Sequence, residues 1–225
     1  MRNMKASNIV RRALCAGVLV CLVGCGSASE DGGEAPVVAH AGPNQNVALG
    51  DEVTLDGGRS QGGAGLPDFS WELVERPPGS GAALDAADVA SPTFVADRIG
   101  RYRARLVVSD GARVSLASLT EVQARAGWSD EIPEARVLAA PTAAVGALAE
   151  LDGTGSQDPE GRALSFSWAL LERPSGSAAL VEVESPAGSR ARFRADVAGK
   201  YRVQLVVFDG NANSSPAKVS VTAGP

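Results

Sequence analysis

The sequence predicts an all-β chain of two tandem antiparallel β-sandwiches that follow a cleaved signal peptide. Three observations predict this fold: an internal repeat, apolar residues that alternate with a period of two, and Asp-Gly turn pairs between the alternating runs. About 200 residues follow the leader, which is enough chain for two small domains.

The first 25 residues have the pattern of an export leader. Four basic residues and no acidic one precede the apolar run ALCAGVLVCLVG, which ends at Cys25. Twelve apolar residues are too few to cross a hydrocarbon core of about 30 Å as a helix, so the run is typical of a signal peptide. The residues LVGC (22–25) resemble the bacterial lipobox, which implies that Cys25 becomes the lipid-modified first residue. An ordinary secretory signal with an incidental cysteine is the alternative.

This interpretation makes positions 1–24 a lipoprotein signal peptide and residues 25–35 a lipidated, flexible tether. The lipid on Cys25 would hold the exported protein on a membrane of the bacterial cell envelope, stably if two or more acyl chains are attached. Gly26, rather than an aspartate, follows Cys25. That residue favours the outer membrane in a cell that has one.

Composition excludes several classes of function. The three cysteines all lie at or before position 25, so the mature domains have no disulfide and no thiol ligands for a metal. The chain has 21 basic and 26 acidic residues, and removing the four basic residues of the leader leaves 17 against 26, a net charge of −9. Because no cluster of Lys and Arg stands out, we expect no binding to nucleic acid.

An internal repeat divides the mature chain in two. Three segments return with small changes: LDGGRS (55–60) as LDGTGS (151–156), WELVERPPGS (71–80) as WALLERPSGS (168–177), and FVADRIGRYRARLVVSDG (94–111) as FRADVAGKYRVQLVVFDG (193–210). The offsets drift from 96 to 97 to 99, as expected when insertions fall in loops. The repeat predicts domains at 36–126 and 133–225, joined by a linker at 127–132.

The repeated segments predict strands with one buried face. Alternation places two sets of side chains inward: Phe69, Trp71, Leu73, Tyr102, Ala104, Leu106 and Val108 in the first copy, and Phe166, Trp168, Leu170, Tyr201, Val203, Leu205 and Val207 in the second. Gln204, Val206 and Phe208 fall in the opposite phase and are expected to face solvent. We expect the indoles of Trp71 and Trp168 to fill the two cores, each burying about 150–250 Å².

The motifs LDG-x-GS, F-S-W-x-L, RP-x-GS and F-x-AD-x-x-G-x-YR-x-x-LVV-x-DG together resemble polycystic kidney disease (PKD) repeats, in a bacterial form where W-x-L replaces WDFGDG. The resemblance covers Pro36–Ala126 and Pro133–Ala223. It implies an immunoglobulin-like antiparallel β-sandwich for each copy, in an extracellular or surface protein that uses such domains for adhesion, ligand binding or spacing. The G-x-Y pairs also resemble the tyrosine corner, which implies a structural hydrogen bond at Tyr102 and at Tyr201.

Motifs of several common enzyme classes are absent from the sequence. It has a single histidine, His40, and lacks H-E-x-x-H and a phosphate-binding glycine loop before a helix. We therefore expect no catalytic residues and no enzyme activity.

Calcium is the one cofactor for which the sequence contains candidate ligands. SQDPEGR places Asp158 and Glu160 in a loop near Asp152, and oxygen-rich loops bind calcium. Asp-Pro-x-Gly is equally an ordinary turn, so the expectation of no cofactor stands beside this alternative.

Two aromatic residues fall outside the core pattern and are candidates for ligand binding: Trp128, in the linker, and Phe208. A wedge that limits bending between domains is the alternative for Trp128. These observations predict a non-catalytic cell-envelope lipoprotein whose two modules adhere to a surface protein or polysaccharide. The alternatives are a purely structural spacer, an accessory module of a surface complex, or a calcium-stabilised carbohydrate-binding module.

Overall fold

The computed structural model describes residues 35–63, 65–184 and 187–225, so Cys25 and the predicted signal peptide lie outside the described residues. Every regular element in these ranges is a strand. In chain order they are β1 (Val37–Val38), β2 (Gln45–Ala48), β3 (Glu52–Thr54), β4 (Gln61–Gly62), β5 (Asp68–Glu75), β6 (Thr93–Val95), β7 (Gly100–Ser109), β8 (Ser118–Arg125), β9 (Leu138–Ala139), β10 (Thr142–Ala144), β11 (Leu148–Asp152), β12 (Ser165–Glu172), β13 (Glu182–Val183), β14 (Arg190–Arg194), β15 (Gly199–Phe208) and β16 (Ala217–Gly224). Across the same ranges no helix has the length and hydropathy needed to span a membrane.

The strands form two successive sandwiches. In the first sandwich, built from β1–β8, a four-stranded sheet of order β2-β8-β7-β5 is accompanied by the pairs β3-β6 and β1-β4. In the second sandwich, built from β9–β16, the sheets have the orders β10-β16-β15-β12 and β13-β14-β11-β9. The predicted all-β fold class is therefore confirmed, and both sandwiches lie within one compact unit, Glu34–Pro225.

The repeat in the sequence is also a repeat in strand register. Trp71 on β5 lies opposite Leu106 on β7, and Trp168 on β12 lies opposite Leu205 on β15. Both strand pairs also shift register at the same point, between Leu73 and Glu75 and between Leu170 and Glu172. Positions of the two copies can therefore be compared residue by residue.

One strand pair in each sandwich differs from the predicted antiparallel arrangement. β2 pairs with β8 in parallel, and β10 pairs with β16 in parallel. In the second sandwich the entering chain pairs first with β11 through β9 and then with β16 through β10. Pro141 lies between β9 and β10, where the chain changes sheet. Because a proline lacks a backbone N–H, it cannot continue the hydrogen-bond ladder of β9 with β11.

The apolar residues alternate in the same phase in both copies, and their side chains form two separate cores. Trp71 and Trp168 are 4% and 6% exposed, and their indole Nε1 atoms donate to the carbonyl oxygens of Val89 (3.1 Å) and Gly188 (2.7 Å). Tyr102 and Tyr201 are fully buried. Because buried polar groups need partners, the two indole hydrogen bonds let these large rings occupy the cores without an unpaired N–H.

The RP-x-GS segment that follows each tryptophan strand is hydrogen-bonded to the turn that precedes the next long strand, β7 or β15. In the first sandwich Arg76 donates to Ala82 O (2.6 Å), and Ser80 donates to Asp97 (2.5 Å). The hydroxyl of Tyr102 joins the same turn by donating to Arg98 O (2.9 Å). The second sandwich repeats each contact: Arg173 to Ala179 O, Ser177 to Asp196, and Tyr201 to Val197 O. The repeated motif therefore has a structural role, and we call this set of hydrogen bonds the clasp.

Candidate binding cleft between the two sandwiches

The outer face of β12 and β15 is covered by the first sandwich. Sequence alternation predicted that Gln204 and Val206 would face solvent, but they are 3% and 1% exposed. Ser167 and Ala169 on the neighbouring strand are also buried. The prediction was wrong for this face because period-two alternation distinguishes the two faces of a sheet but not what lies against the outer one.

The covered face differs in chemistry from its counterpart on the first sandwich. Ala169 lies opposite Gln204 in the second sandwich, whereas Glu72 lies opposite Arg105 in the first. Glu72 and Arg105 are exposed and form a salt bridge at 2.6 Å. The second copy thus has small or neutral side chains where the first has a solvated ion pair, which is the change that a buried interface requires.

A hydrogen-bond network ties the two sandwiches together. Asn213, in the loop between β15 and β16, donates its backbone N–H to the Gln45 side-chain oxygen and its Nδ2 to Thr54 O, both at 2.9 Å. Gln45 Nε2 donates to the same carbonyl at 2.9 Å. The three residues are 2% exposed. Gln204 adds a second tie by donating to Ser91 Oγ at 2.7 Å.

The β15–β16 loop also packs into the first sandwich. Ala212 is 3% exposed and belongs to the apolar cluster that surrounds Trp71. The carbonyl of Asn211 accepts from Asn46 N at 2.8 Å. One loop of the second sandwich therefore completes the core and the strand hydrogen bonding of the first.

A cleft remains open beside this interface. It encloses about 390 Å³ and takes its walls from both sandwiches: His40, Ala41, Gly42, Pro43, Asp56, Arg59 and Ser118 from the first, and Ser165, Phe166, Ser167, Val206, Phe208 and Asn213 from the second. Arg59, Ser165 and Phe166 also line an adjoining groove of about 650 Å³. Phe208, the aromatic residue that the sequence predicted for ligand binding, is half-buried in the wall of the cleft.

Two polar side chains in the wall of the cleft have deeply buried polar atoms. Asn213 donates through its backbone N–H and Nδ2 to Gln45 and Thr54, while its Oδ1 has no hydrogen-bond partner among the described residues. Ser167 lies against the Asp56 carboxyl as a hydrogen-bond partner that lowers the pKa of Asp56. Because Asn213 Oδ1 and Ser167 Oγ each have less than 1 Å² of accessible surface, neither atom is offered to the open space of the cleft.

The cleft contains a buried carboxyl with an unusual environment. Asp56 is 4% exposed, and burial raises its pKa above the ordinary 3.8, against the opposing effects of Ser167, the Gly58 amide and Arg59. Asp152 holds the same place in the second LDG turn, but hydrogen bonds from the Thr154 hydroxyl and amide lower its pKa. The difference arises because the second sandwich covers Asp56.

The other predicted aromatic residue, Trp128, lies apart from the cleft. It is half-buried, its ring lies 5.1 Å from the Arg125 guanidinium carbon, and it is not among the residues lining the cleft or the adjoining groove. The structure therefore does not bring Trp128 and Phe208 into one site.

The three residues predicted for calcium are divided between two places. Asp152 contacts Thr154 and lies 3.8 Å from Arg190. Glu160 lies 3.6 Å from Arg162 Nη1, and Asp158 accepts from the Arg162 amide at 2.7 Å. Arg162 also pairs with the buried side chains of Asp130 and Asp209. Within the described ranges no group of three or more acidic, histidine or cysteine residues is arranged to hold a metal ion.

Sequence reasoning missed Asp56, Arg59, Ser167 and Asn213 as members of a site. A signal for the interface was present in the comparison of the two copies, because Ala169 and Gln204 replace the charged Glu72 and Arg105. No local motif marks the cleft itself, since its walls come from segments more than 100 residues apart.

Comparison with known proteins finds a family model that matches part of the chain. Residues 141–223 match the family model described as "K319L-like, PKD domain". The chain is 30% identical over 202 residues to the mouse (Mus musculus) "Dyslexia-associated protein KIAA0319 homolog" and 29% identical over 200 residues to the rat (Rattus norvegicus) protein of the same name. Each alignment covers 85% of this chain and 18% of the relative, so the chain spans less than a fifth of the relatives' length. A solved structure, "Solution structure of the PKD domain from KIAA 1837 protein", is 27% identical, covers 43% of this chain and 96% of its own, and has a TM-score of 0.35.

Proposed function

We propose that this chain, which belongs to the PKD domain family through residues 141–223, is a non-catalytic binding module of the cell surface that holds its partner in the cleft between the two sandwiches. PKD and immunoglobulin-like domains typically serve as adhesion or binding modules. Because a fold does not specify a function, the proposal depends on the site rather than on the family.

The observation that carries the proposal is the cleft itself, with the half-buried ring of Phe208 in its wall. The interface hydrogen bonds hold the two walls at a set distance, so that the site is formed before a partner arrives. Pre-formed concave sites with aromatic walls and a few polar groups are typical of ligand binding. A rigid wall also reduces the entropy lost on association.

The polar residues around His40 support binding rather than catalysis. Ser60 Oγ accepts from His40 N at 3.0 Å, and Ser118 Oγ accepts from Ala41 N at 3.1 Å. Both serine hydroxyls thus accept hydrogen bonds from the backbone. Nucleophilic catalysis would instead require a serine hydroxyl that is paired with an imidazole base.

The test is saturable binding of the purified, labelled chain to intact cells. We expect unlabelled chain to compete, and Phe208→Ser to weaken binding about 10-fold, the equivalent of about 1.4 kcal/mol. Serine is the residue that the first sandwich has at the position equivalent to Phe208, so the variant is expected to fold. Leu116→Ser, at a side chain that is 92% exposed away from the cleft, is the control. Non-saturable binding, or equal binding of both variants, would overturn the proposal.

We also propose that a lipid on Cys25 anchors the protein to the cell envelope, with the outer membrane favoured. The lipobox-like LVGC and the basic and apolar leader support this location. Cys25→Ser should move the protein from the membrane fraction to the soluble fraction and abolish incorporation of labelled fatty acid. Membrane retention of an unlabelled Cys25→Ser protein would contradict the anchor without affecting the binding proposal.

A rigid spacer is the second candidate function. The interface that buries Gln204 and Val206 favours it, because two sandwiches joined in this way cannot bend freely about their linker. A spacer would bind nothing in the cell assay, yet a variant with a mobile interface would still alter the assembly that contains it.

A further inference from the structure

We propose that copies of this chain associate through a loop of one copy, at Val114 and Leu116, that packs into a groove of the next copy, at Leu138 and Leu148. These four side chains do not line the cleft, so the inference goes beyond the proposed function and does not depend on it. Each of the two surfaces that form the internal contact has an equivalent on the other sandwich, and both equivalents are open.

The β7–β8 loop of the first sandwich, residues 110–117, has the same hydrogen bonds as the β15–β16 loop that packs into the first sandwich. Ser115 N donates to Val108 O at 2.8 Å, and Ser115 Oγ accepts from Val108 N at 3.0 Å. Ser214 makes both hydrogen bonds with Val207 at the same distances. The two loops therefore share one backbone arrangement, and their positions correspond residue by residue.

Val114 occupies the position of Asn213 in this loop, because each forms a bridge to the end of the preceding strand. Asn213 is 2% exposed because it lies on Gln45 and Thr54. Val114 is 69% exposed, and Leu116, two residues further along, is 92% exposed. The first sandwich thus presents the same loop with apolar side chains left in solvent.

The surface that receives Asn213 also has an equivalent, which is on the second sandwich. Strand register matches Asn46 with Thr142, since both pair in parallel with corresponding residues of β8 and β16. Thr54 matches Glu150, because each is the residue before an LDG turn. Thr142 and Glu150 therefore mark the place where a loop would lie if the second sandwich received one.

This equivalent surface is an open apolar groove. It encloses about 460 Å³, and seven of its ten lining residues are alanine or leucine. Leu138 is 71% exposed and Leu148 is 46% exposed, so both present apolar surface to water. The surface that is polar in the first sandwich is thus apolar in the second.

The open loop and the open groove differ from their polar counterparts in the same way. Within the chain, a polar loop lies on a polar surface and is held by the hydrogen bonds of Asn213. At the open equivalents both surfaces are apolar, so each removes the other from water. An asparagine in the groove would have no partner for its amide, and the groove therefore selects the apolar loop. A second copy of this chain supplies that loop.

The contact joins unlike surfaces of two copies. Leu116 and Leu138 are both exposed, so a chain does not fill its own groove with its own loop. Each pair of copies therefore leaves one loop and one groove open, and further copies add at either end. Only the loop enters the groove, so the contact does not repeat the whole internal interface and the Glu72–Arg105 pair stays in solvent.

A contact made by one loop is small and weak. Interfaces that bury less than about 1,200 Å² belong to the transient class, and we expect a dissociation constant of roughly 100 µM. At the nanomolar concentrations of a cell-binding assay the copies are dissociated, so Leu116→Ser remains a control there. Copies concentrated on a surface associate, and an array of clefts binds a repetitive partner with higher avidity.

Sedimentation velocity of the purified full chain between about 1 and 500 µM tests the association. We expect the weight-average mass to rise with concentration beyond that of a dimer. Leu116→Ser and Leu138→Ser should each lower the association constant about 10-fold or more, because each removes a leucine from the apolar contact. Leu180→Ser is the matched control and should leave association unchanged, because this side chain is 62% exposed but lines the groove beside the cleft.

A mixture of the two variants distinguishes a loop-in-groove contact from a symmetric one. Leu116→Ser keeps the groove and Leu138→Ser keeps the loop, so an equimolar mixture should form a dimer and nothing larger. All three substitutions are at exposed side chains and should leave the melting temperature within about 2 °C of wild type.

The inference is wrong if the wild type stays monomeric at about 500 µM, if either leucine variant associates as the wild type does, or if the mixture stays monomeric while the wild type associates. Association that is lost between about 0.1 and 1 M NaCl would also contradict an apolar contact. The proposed function is tested through Phe208 at nanomolar concentration, so each proposal can fail without the other.

Discussion

Asp56 and Asp152 occupy the same position of the two LDG turns, yet their surroundings move their pKa values in opposite directions. Burial raises the pKa of Asp56, and hydrogen bonds from Thr154 lower that of Asp152. A residue type at a given position therefore does not determine its electrostatic role. The neighbouring sandwich, which covers one turn and leaves the other open, makes the difference.

The pair gives a prediction with opposite signs at the two sites. A raised folded pKa means that the stability contributed by Asp56 is complete below about pH 3.8 and is lost as the pH rises through the raised pKa. Asp56→Asn keeps an acceptor for Gly58 N and removes the buried charge, so we expect a higher melting temperature than wild type at pH 7 and no difference at low pH. The measurement is thermal unfolding by circular dichroism between pH 3.5 and 8.

Asp152→Asn is the matched control for that prediction. The lowered pKa of Asp152 contributes stability above about pH 3.8 that is lost as the pH falls, so this variant should be less stable than wild type at pH 7. A decrease in stability for both variants at pH 7 would contradict the covered environment of Asp56.

At the scale of elements, each tryptophan strand is joined to the next long strand by the clasp of the RP-x-GS segment. Pro174 packs against Gly199, the first residue of β15, which has φ +135°. A Cβ built on Gly199 would lie 2.8 Å from Pro174 Cγ. The glycine of the G-x-Y motif is thus needed both for its backbone conformation and for the close approach of the proline.

We expect Gly199→Ala to destabilise the protein by about 3 kcal/mol, because it combines a strained backbone with a steric contact against a rigid ring. Gly176→Ala, at a positive φ of 82° with no atom within 4 Å of a Cβ, isolates the backbone effect and should cost about 1 kcal/mol. Urea unfolding gives both values. Equal effects of the two substitutions would show that the contact with Pro174 contributes nothing.

At the scale of the whole molecule, the two sandwiches contact each other head to tail, so that each contributes a different surface to the interface. The first sandwich contributes Gln45 and Thr54, and the second contributes Gln204 and Asn213. The corresponding open faces differ in chemistry: Arg105 stands at the position of Gln204, and β5 and β7 carry exposed ion pairs there. Repetition of the contact with a further molecule is disfavoured, because charges on that face would be buried without partners.

This contact is tested by transferring the first sandwich's ion pair to the second. Ala169→Glu combined with Gln204→Arg introduces the cross-strand pair that the first sandwich has at Glu72 and Arg105, but it places two charged side chains in the interface. We expect the second sandwich to stay folded and the two sandwiches to separate, with a radius of gyration about 10% larger by small-angle X-ray scattering. The change in the opposite direction, Glu72→Ala with Arg105→Gln, alters only the exposed face and should leave the scattering unchanged. An unchanged profile for the first double variant would contradict the interface.

Much of the fold was predictable because its signals are local. Alternation placed Tyr102, Leu106 and Val108 in the core, where they are fully buried. Asp-Gly pairs marked turns, and the repeat predicted two equivalent sandwiches whose strands have the same register. The parallel pairing of β2 and of β10 was missed because alternation within one strand carries no information about the direction of its neighbour.

The sequence by itself determined which residues build each core, where the strands turn, and that the unit occurs twice, since these features depend on side-chain period and on backbone preferences within a few residues. Only the tertiary structure decided that the outer face of β12 and β15 is buried, that Phe208 lines a cleft, and that Asn213 and Ser167 are buried in its wall. These outcomes depend on contacts between residues more than 100 positions apart, such as Asn213 with Gln45 and Gln204 with Ser91. Such contacts arise from the packing of one completed sandwich on another, and no short-range pattern encodes them.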